Sequence, residues 1–459
     1  MSAASDPTPA VPRLTVSDAI PPGLGALYWF SAFNALSFQP VLNSPMVLYA
    51  KSLGASATVL GVLAGMMPLL VITNLPAARF INRIGFQRFV LGGWSTRVAF
   101  VFLMAAVPLT STFLDDATRL VLILSLLFGF NLFRGISSSA WLPWIMELIP
   151  VPARGRHFAR DQFCANAASM VALAFSGWVL GSTWGRWRFP VVFLFAAVAG
   201  AISLPILRRI PDVLPPPDTD TGVGPVPWLA LASHPAFRRL LQVNAAWSLA
   251  YGGLTTFLVK YLRDGAGLRE DHILYYVSIS FIGGLAAPWL AGPRLDRLGS
   301  KPMLEFTMVV GFVIGFGWWL AASGLVHPGV RMALPLMGLL GLVNALFSAS
   351  NNRLALQLAP RMGRNHFFAI FMVVWQITLG LSPVLWGLLL DAIGDRSSVL
   401  FGLQWNRYSV YFALVSLCYT FAFVLCGRLM EPRAAEVHHL VRELLIQEPR
   451  RWWTLVTGR

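Results

Sequence analysis

The sequence predicts an all-α membrane protein: about twelve transmembrane helices in two pseudo-symmetric six-helix bundles. Composition, the spacing of apolar runs and an internal repeat predict it. Hydrophobic residues fill 56% of the 459 positions and charged residues 12%. Soluble domains run near half apolar and about a quarter charged. So little charge cannot cover a water-soluble globule of this size. A hydrocarbon-facing exterior resolves the shortage, and a helix satisfies every backbone group within its own segment there.

A span needs roughly 20 apolar residues at 1.5 Å rise. The runs place spans one to six at about 25–50, 56–79, 88–110, 119–148, 161–183 and 189–208. Spans seven to twelve fall at about 236–262, 272–292, 302–323, 330–357, 366–391 and 407–428. The stretch from Arg208 to Ser233 carries Pro215-Pro216-Pro217, Asp218 and Asp220, too polar and proline-rich to span. The expected organisation is therefore a tail (1–24), a bundle (25–208), a linker (209–235), a second bundle (236–428) and a second tail (429–459). The first 22 residues hold Asp6, Asp18 and several prolines without an apolar core, unlike a cleavable signal peptide.

The net charge of +15 does not point to nucleic acid, because the basic residues sit in short clusters between apolar runs. Arg79, Arg83 and Arg88 follow span two, and Arg154, Arg156 and Arg160 follow span four. Arg294, Arg297 and Lys301 follow span eight, and Arg361 and Arg364 follow span ten. The opposite loops are mixed or acidic, as at Asp115-Asp116 and Asp391…Asp395. The positive-inside rule then places the linker and both termini in the cytoplasm, in a bacterial inner membrane. Trp184 and Trp187 are expected as interfacial anchors at the outer ends of spans five and six. Val437, Leu440, Val441, Leu444 and Leu445 recur at helical spacing ahead of Arg450-Arg451-Trp452-Trp453. They predict a helix lying on the inner leaflet, with docking to a partner as the alternative. Cys164, Cys418 and Cys426 have no metal or redox spacing and read as packing residues.

The two halves repeat. Asn82-Arg83-Ile84-Gly85 after span two corresponds to Asp296-Arg297-Leu298-Gly299 after span eight. Glu147-Leu148-Ile149-Pro150 and Arg156-His157-Phe158 correspond to Gln357-Leu358-Ala359-Pro360 and Asn365-His366-Phe367. Leu48-Tyr49 corresponds to Lys260-Tyr261. The order is kept and the offset stays near 210 residues. Parallel six-span repeats are a transporter plan with the solute site between the halves near mid-membrane.

At these residues the chain resembles the major facilitator superfamily. That family carries G-x-L-x-D-R-x-G-R-[RK] after its second span, often repeated after the eighth. Gly292-Pro293-Arg294-Leu295-Asp296-Arg297-Leu298-Gly299-Ser300-Lys301 is similar to it, whereas the first copy has Asn82 in place of the acid. The segment from Arg154 to Arg156 also looks like the family's basic loop. The resemblance implies gating by charge pairs at the cytoplasmic ends, from Asp296, Arg297, Arg83 and Glu147, weakened in the first half. The alternative is that Arg83 and Arg297 only set topology.

A charge at bilayer depth costs about 2.5 kcal/mol or more and is a functional-site hypothesis by default. Arg134 lies in the middle of span four, and Asn131, Ser138 and Trp141 share its face. The repeat maps Arg134 onto Asn344 and Trp141 onto Asn351, with Ser348 between them. Gln39 and Asn43 in span one map onto Tyr251 and Thr255 in span seven, where Asn244 and Ser248 extend the stripe. The resemblance implies that spans one, four, seven and ten line the central cavity, so these residues are the candidate solute contacts, joined by Gln376 in span eleven. Helix–helix hydrogen bonding is the competing role for each amide and hydroxyl.

Glu147, Asp161, Glu305 and Asp391 fall near span ends, and His157 and His366 at cytoplasmic ends. A facilitator or exchanger is one expectation; proton coupling through a deeper Glu147 or Asp161 is the other. The function implied is a secondary active or facilitative transporter of a small polar organic solute, anionic if Arg134 meets an acidic group, working as a monomer in the lipid bilayer. An exporter of hydrophobic drugs or lipids is the alternative, set back because Ala172…Trp178 in span five lacks the glycine-proline motif of drug antiporters. A non-transporting receptor or assembly factor on the same fold is the third. No motif for an enzyme, a metal or a cofactor stands out.

Overall fold

The computed structural model describes residues 24–150, 153–213, 234–358, 364–429 and 431, with 155, 289–296 and 364–369 as backbone only. The first tail, most of the linker and the expected surface helix after 431 lie outside the described residues, as do Pro360 and Arg361.

The first half contains α1 (Gly25–Leu42), α2 (Ser44–Ser52), α3 (Ala57–Leu70), α4 (Asn74–Ala78), α5 (Ile81–Ile84), α6 (Phe86–Ala106), α7 (Asp116–Leu148), α8 (Arg154–Gly181) and α9 (Arg188–Arg208). The second contains α10 (Pro235–Tyr251), α11 (Leu254–Lys260), α12 (Glu270–Leu298), α13 (Ser300–Ala322), α14 (Val330–Leu358), α15 (Arg364–Ile393) and α16 (Arg407–Gly427). A small antiparallel hairpin, β1 (Ser398–Leu400) and β2 (Leu403–Trp405), stands between α15 and α16. Its turn places Phe401 at φ 54 and Gly402 at φ 74, the positive-φ pair of a two-residue hairpin loop.

Nine helices among the described residues are long and apolar enough to cross a membrane on their own. They are spans two to six and nine to twelve, so the protein is multi-pass. Of the other three predicted spans, two are interrupted in the chain. Span one is interrupted at Asn43, whose backbone is extended, and Pro45 opens the next helix. Span seven is interrupted at Gly252 and Gly253, the latter at φ 80, where glycine carries no steric penalty. Under the repeat Asn43 maps onto Thr255, two residues past Gly253, so the two breaks fall at nearly the same level. Span eight lies within α12 (Glu270–Leu298), part of which is described as backbone only.

One boundary differs more. Arg154 to Arg160, expected as a loop, is the first part of α8. The Arg154 guanidinium donates to the carbonyls of Met146 (2.7 Å) and Ile149 (3.2 Å). It thereby satisfies the orphan acceptors at the end of α7, where a cation also suits the helix dipole.

Equivalent tyrosines pack alike in the two halves. Tyr49 lies against Phe189 and Phe193 of span six, and Tyr261 against Tyr408 and Phe412 of span twelve. In lipid, close backbone approach replaces the hydrophobic drive between helices. The halves meet through such approaches. A Cβ at Gly61 of α3 would overlap the carbonyl of Pro383 in α15, and one at Gly65 that of Gly380. Gly181 of α8 lies against Asp271 of α12. These contacts gather at the end of the bundle away from the arginine-rich loops. The opposite end, with Arg79, Arg83 and Arg154, is called the basic end below.

Candidate functional site

A cavity of about 740 Å³ lies between the halves. Its wall runs from mid-depth (Gln39, Asn43, Tyr251, Thr255, Asn344) to the basic end (Phe158, Gln162, Pro288, Asn352). The described wall offers six carboxamides, from Gln39, Asn43, Gln162, Asn166, Asn344 and Asn352. It adds five hydroxyls, from Ser44, Tyr251, Thr255, Ser280 and Ser348, and no charged side chain. Amides and hydroxyls donate and accept at once, so such a wall can match a solute that does both.

The helices position these groups in specific ways. The break at Asn43 frees its amide from the helical run, and Asn43 Nδ2 donates to Gln39 Oε1 at 3.1 Å. Gln162 Nε2 donates to Asn166 Oδ1 at 3.0 Å one turn away on α8. The Tyr251 ring stacks on Trp247 (centroids 4.6 Å apart), which stacks on Phe347 (3.9 Å). That column fixes the Tyr251 ring at the cavity wall.

The wall thus brings together Gln39, Asn43, Tyr251, Thr255, Asn344 and Ser348 from the sequence-based set. Others lie elsewhere. Asn244 and Asn351 bind each other with two buried hydrogen bonds of 2.9 and 2.7 Å. Asn131 donates to the Leu127 carbonyl of its own helix, and Ser138 to Asn74 Oδ1 of α4. Trp141 packs against Phe30, Trp94 and Trp144. Gln376 is half-buried and stands off the described wall. Arg134 is half-buried in the first bundle and is not among the lining residues. Span four therefore contributes nothing to the described wall, while spans five and eight do. The cause is packing: Gly135 sits directly against the Leu70 carbonyl and Thr73, so α7 spends that face on span two.

Sequence reasoning missed Gln162, Asn166, Ser280 and Asn352. The i, i+4 amides of Gln162 and Asn166 were a readable signal in span five. It also missed Arg97, a second charge in the middle of a span, buried in α6.

The far end is closed by charged contacts between the halves. Lys51 Nζ lies 3.0 Å from Asp264 Oδ2, which Lys260 Nζ also meets at 2.8 Å. Arg188 lies 3.7 Å from Glu270, which Arg263 meets at 3.3 Å. Asp391 Oδ1 and Oδ2 accept from Ala57 N (2.9 Å) and Thr58 N (2.8 Å), capping the first turn of α3 from the other half. Burial alone would raise the Asp264 carboxyl, but the hydrogen bonds and charges of Lys260 and Lys51 outweigh it and hold it below the usual carboxylate range.

Of the expected gate at the basic end, Arg83, Glu147 and Arg297 are exposed at their helix ends, and Asp296 lies where only the backbone is described. Glu431 instead accepts from Ser300 N (2.8 Å) and Lys301 N (2.7 Å), capping α13 within the second half. Cys164 and Cys418 are half-buried, Cys426 buried, and all three are free thiols. Trp184 and Trp187 are exposed, as anchors would be.

The family model of the Major Facilitator Superfamily matches residues 24–383. The chain belongs to that superfamily. No curated relative matches its sequence. Among solved structures it is similar to the xylose transporter XylE from E. coli in an inward-open conformation, with 16% identity and a TM-score of 0.65 over 91% of this chain and 98% of that one. It is also similar to the nucleoside transporter NupG, with 12% identity and a TM-score of 0.65 over 88% and 97%. A bacterial homolog of the human lysosomal transporter Spinster, inward-facing and unoccupied, aligns with 12% identity and a TM-score of 0.62 over 89% and 98%. At these identities the likeness speaks for the fold. The protein is a membrane transporter by family.

Proposed function

We propose that this superfamily member moves a small, uncharged, hydrogen-bonding organic solute across the membrane by alternating access. One observation carries the reading: a 740 Å³ cavity between the halves, walled by six carboxamides and five hydroxyls without a charge among the described residues. That volume falls within the range of small-molecule sites. The mixed donors and acceptors suit a sugar-sized polyol or a nucleoside-like solute, and the fixed Tyr251 ring offers a stacking face to a heterocycle or a sugar ring. Half of the described lining residues carry an amide or hydroxyl and half are apolar or glycine, which suits a solute with hydrogen-bonding groups on an apolar frame better than a purely hydrophobic one. An acidic solute would meet no cation on the described wall.

The arginine-rich loops favour the basic end as cytoplasmic. In that orientation the cavity opens inward and the charged contacts close the outside, so this is the inward-facing state. Opening outward requires Lys51 to part from Asp264, Arg188 from Glu270, and Asp391 from the start of α3. Arg83, Glu147, Asp296 and Arg297 then have their role in the opposite state, when the basic end closes. The solute path lies within one chain, which suits a monomer.

The test is uptake into proteoliposomes from a panel of labelled pentoses, hexoses and nucleosides. At least one should enter faster than into empty liposomes, and Asn344→Ala and Gln39→Ala should each reduce the rate several-fold. Uptake of the same solute unaffected by both substitutions would remove the cavity from the solute path.

A further inference from the structure

The first bundle holds two arginines that the solute cavity does not use. Arg97, at mid-length in α6, is 5% exposed. Its guanidinium carbon stands 4.5 Å from the ring centroid of Trp94 and 4.9 Å from that of Phe130. Those rings engage the flat faces of the cation, which leaves its N–H edge to find acceptors. On that edge Nε is buried without a hydrogen-bond partner. Arg134, in the middle of α7, stands one turn after Phe130, and α6 packs on α7 here through Gly93 against Ser137 and Phe100 against Phe133, which sets Arg97 and Arg134 at the same level of this contact. Among the described residues no carboxylate pairs with either guanidinium.

This arrangement is not a stable end point for two cations. Buried charges are ordinarily paired, and like charges repel more strongly away from water. The pair is nevertheless held rigidly. Trp94 donates from Nε1 to Asn34 Oδ1 at 3.1 Å and packs against Trp141 and Phe30. Phe130 is buried beside them. The packing holds Arg97 in place while its Nε–H has no acceptor.

We propose that Arg97 and Arg134 form a site for a small free oxyanion, a carboxylate or phosphate, inside the first bundle and apart from the solute cavity. A guanidinium presents parallel N–H donors that fit two oxygens of one anion, and two guanidiniums converge on a single bound charge. Arg134 is half-buried and the more exposed of the two, whereas Arg97 is almost fully enclosed. The depth sets a lipid headgroup aside. Arg134 lies near the middle of a 33-residue helix, and headgroup phosphates lie at helix ends. The site stands without the uncharged-solute reading, whose own test uses Gln39 and Asn344.

The experiment is thermal unfolding of the purified full chain in neutral detergent, with sodium phosphate or sodium acetate replacing sodium chloride at fixed ionic strength. The midpoint should rise with the concentration of at least one anion and then saturate. Arg134→Gln should abolish the saturable rise. Three results overturn the proposal: no rise with either anion, an equal rise in Arg134→Gln, or a rise produced only by adding phosphatidylglycerol. Should Arg134→Gln fail to fold, the unmodified protein still decides. Inorganic phosphate should slow phenylglyoxal modification of Arg134 and Arg97, read by peptide mass spectrometry, and unchanged rates at both positions contradict the site.

Discussion

Lys51 at the end of α2 and Asp264 just past α11 meet at 3.0 Å, one residue from each half of the molecule. Both lie at positions that follow the helix break in their own half, near Asn43 and Gly253. The breaks swing the ends of spans one and seven toward each other, and the ion pair closes the end of the cavity remote from the arginine-rich loops.

Asp264→Asn should loosen that closure. A partly exposed pair contributes about 1 kcal/mol or less, enough to raise the outward-open population roughly fivefold. Spin labels at Phe113→Cys and Val399→Cys, in a background without native cysteines, report the separation of the halves at this end. A longer distance component should grow in Asp264→Asn. An unchanged distribution would show that the glycine contacts alone hold the end shut.

The same carboxyl sets a pH response. Its affinity for protons is depressed when the halves are closed, so it favours closure in full above the ordinary Asp value near 4. That contribution is lost as pH falls through the depressed value. Label distances should therefore be constant from pH 8 to pH 5 and lengthen only below about pH 4. Asp264→Asn should lack this dependence. Opening that begins near neutral pH would assign the response to another group.

Gly61 faces the Pro383 carbonyl too closely for any Cβ. Gly61→Leu should push α3 from α15 at a cost of about 1–3 kcal/mol in the closed state. The same labels should show a longer separation, and transport should slow. Normal distances and rates in this variant would mean that the close packing is dispensable.

Asn244 and Asn351 satisfy each other in a fully buried pair. Asn244→Ala leaves an amide unpaired and should cost about 1–2 kcal/mol. Adding Asn351→Ala should cost little more, because the orphaned group is then gone. Thermal unfolding of Asn244→Ala, Asn351→Ala and the double variant measures this, and additive losses would show that the amides act separately.

The fold was legible because bilayer thickness forces run length and charge forces topology. Both signals are local, and Asn82-Arg83 against Asp296-Arg297 revealed the repeat. About half of the described polar wall was legible for the same reason, since Gln39, Asn43, Tyr251, Thr255 and Asn344 are polar at mid-span. What hid the rest was orientation. Asn351 and Asn344 lie two turns apart on α14, yet one pairs with Asn244 and the other faces the cavity. No single-chain pattern separates a polar side chain that joins helices from one that faces a solute. Span four stands off the described wall because Gly135, a small residue among larger ones, sets that helix against span two. Arg97 was visible as a mid-span charge, but its rings, Trp94 and Phe130, come from two helices.

Solute uptake decides most directly whether the amide cavity is a transport site. Proteoliposomes carrying the full chain should accumulate at least one labelled uncharged polyol or nucleoside to equilibrium, with Asn344→Ala slowing entry several-fold and charged analogues failing to compete. Entry confined to a charged or a purely apolar solute, or entry that Asn344→Ala and Gln39→Ala leave untouched, would contradict it.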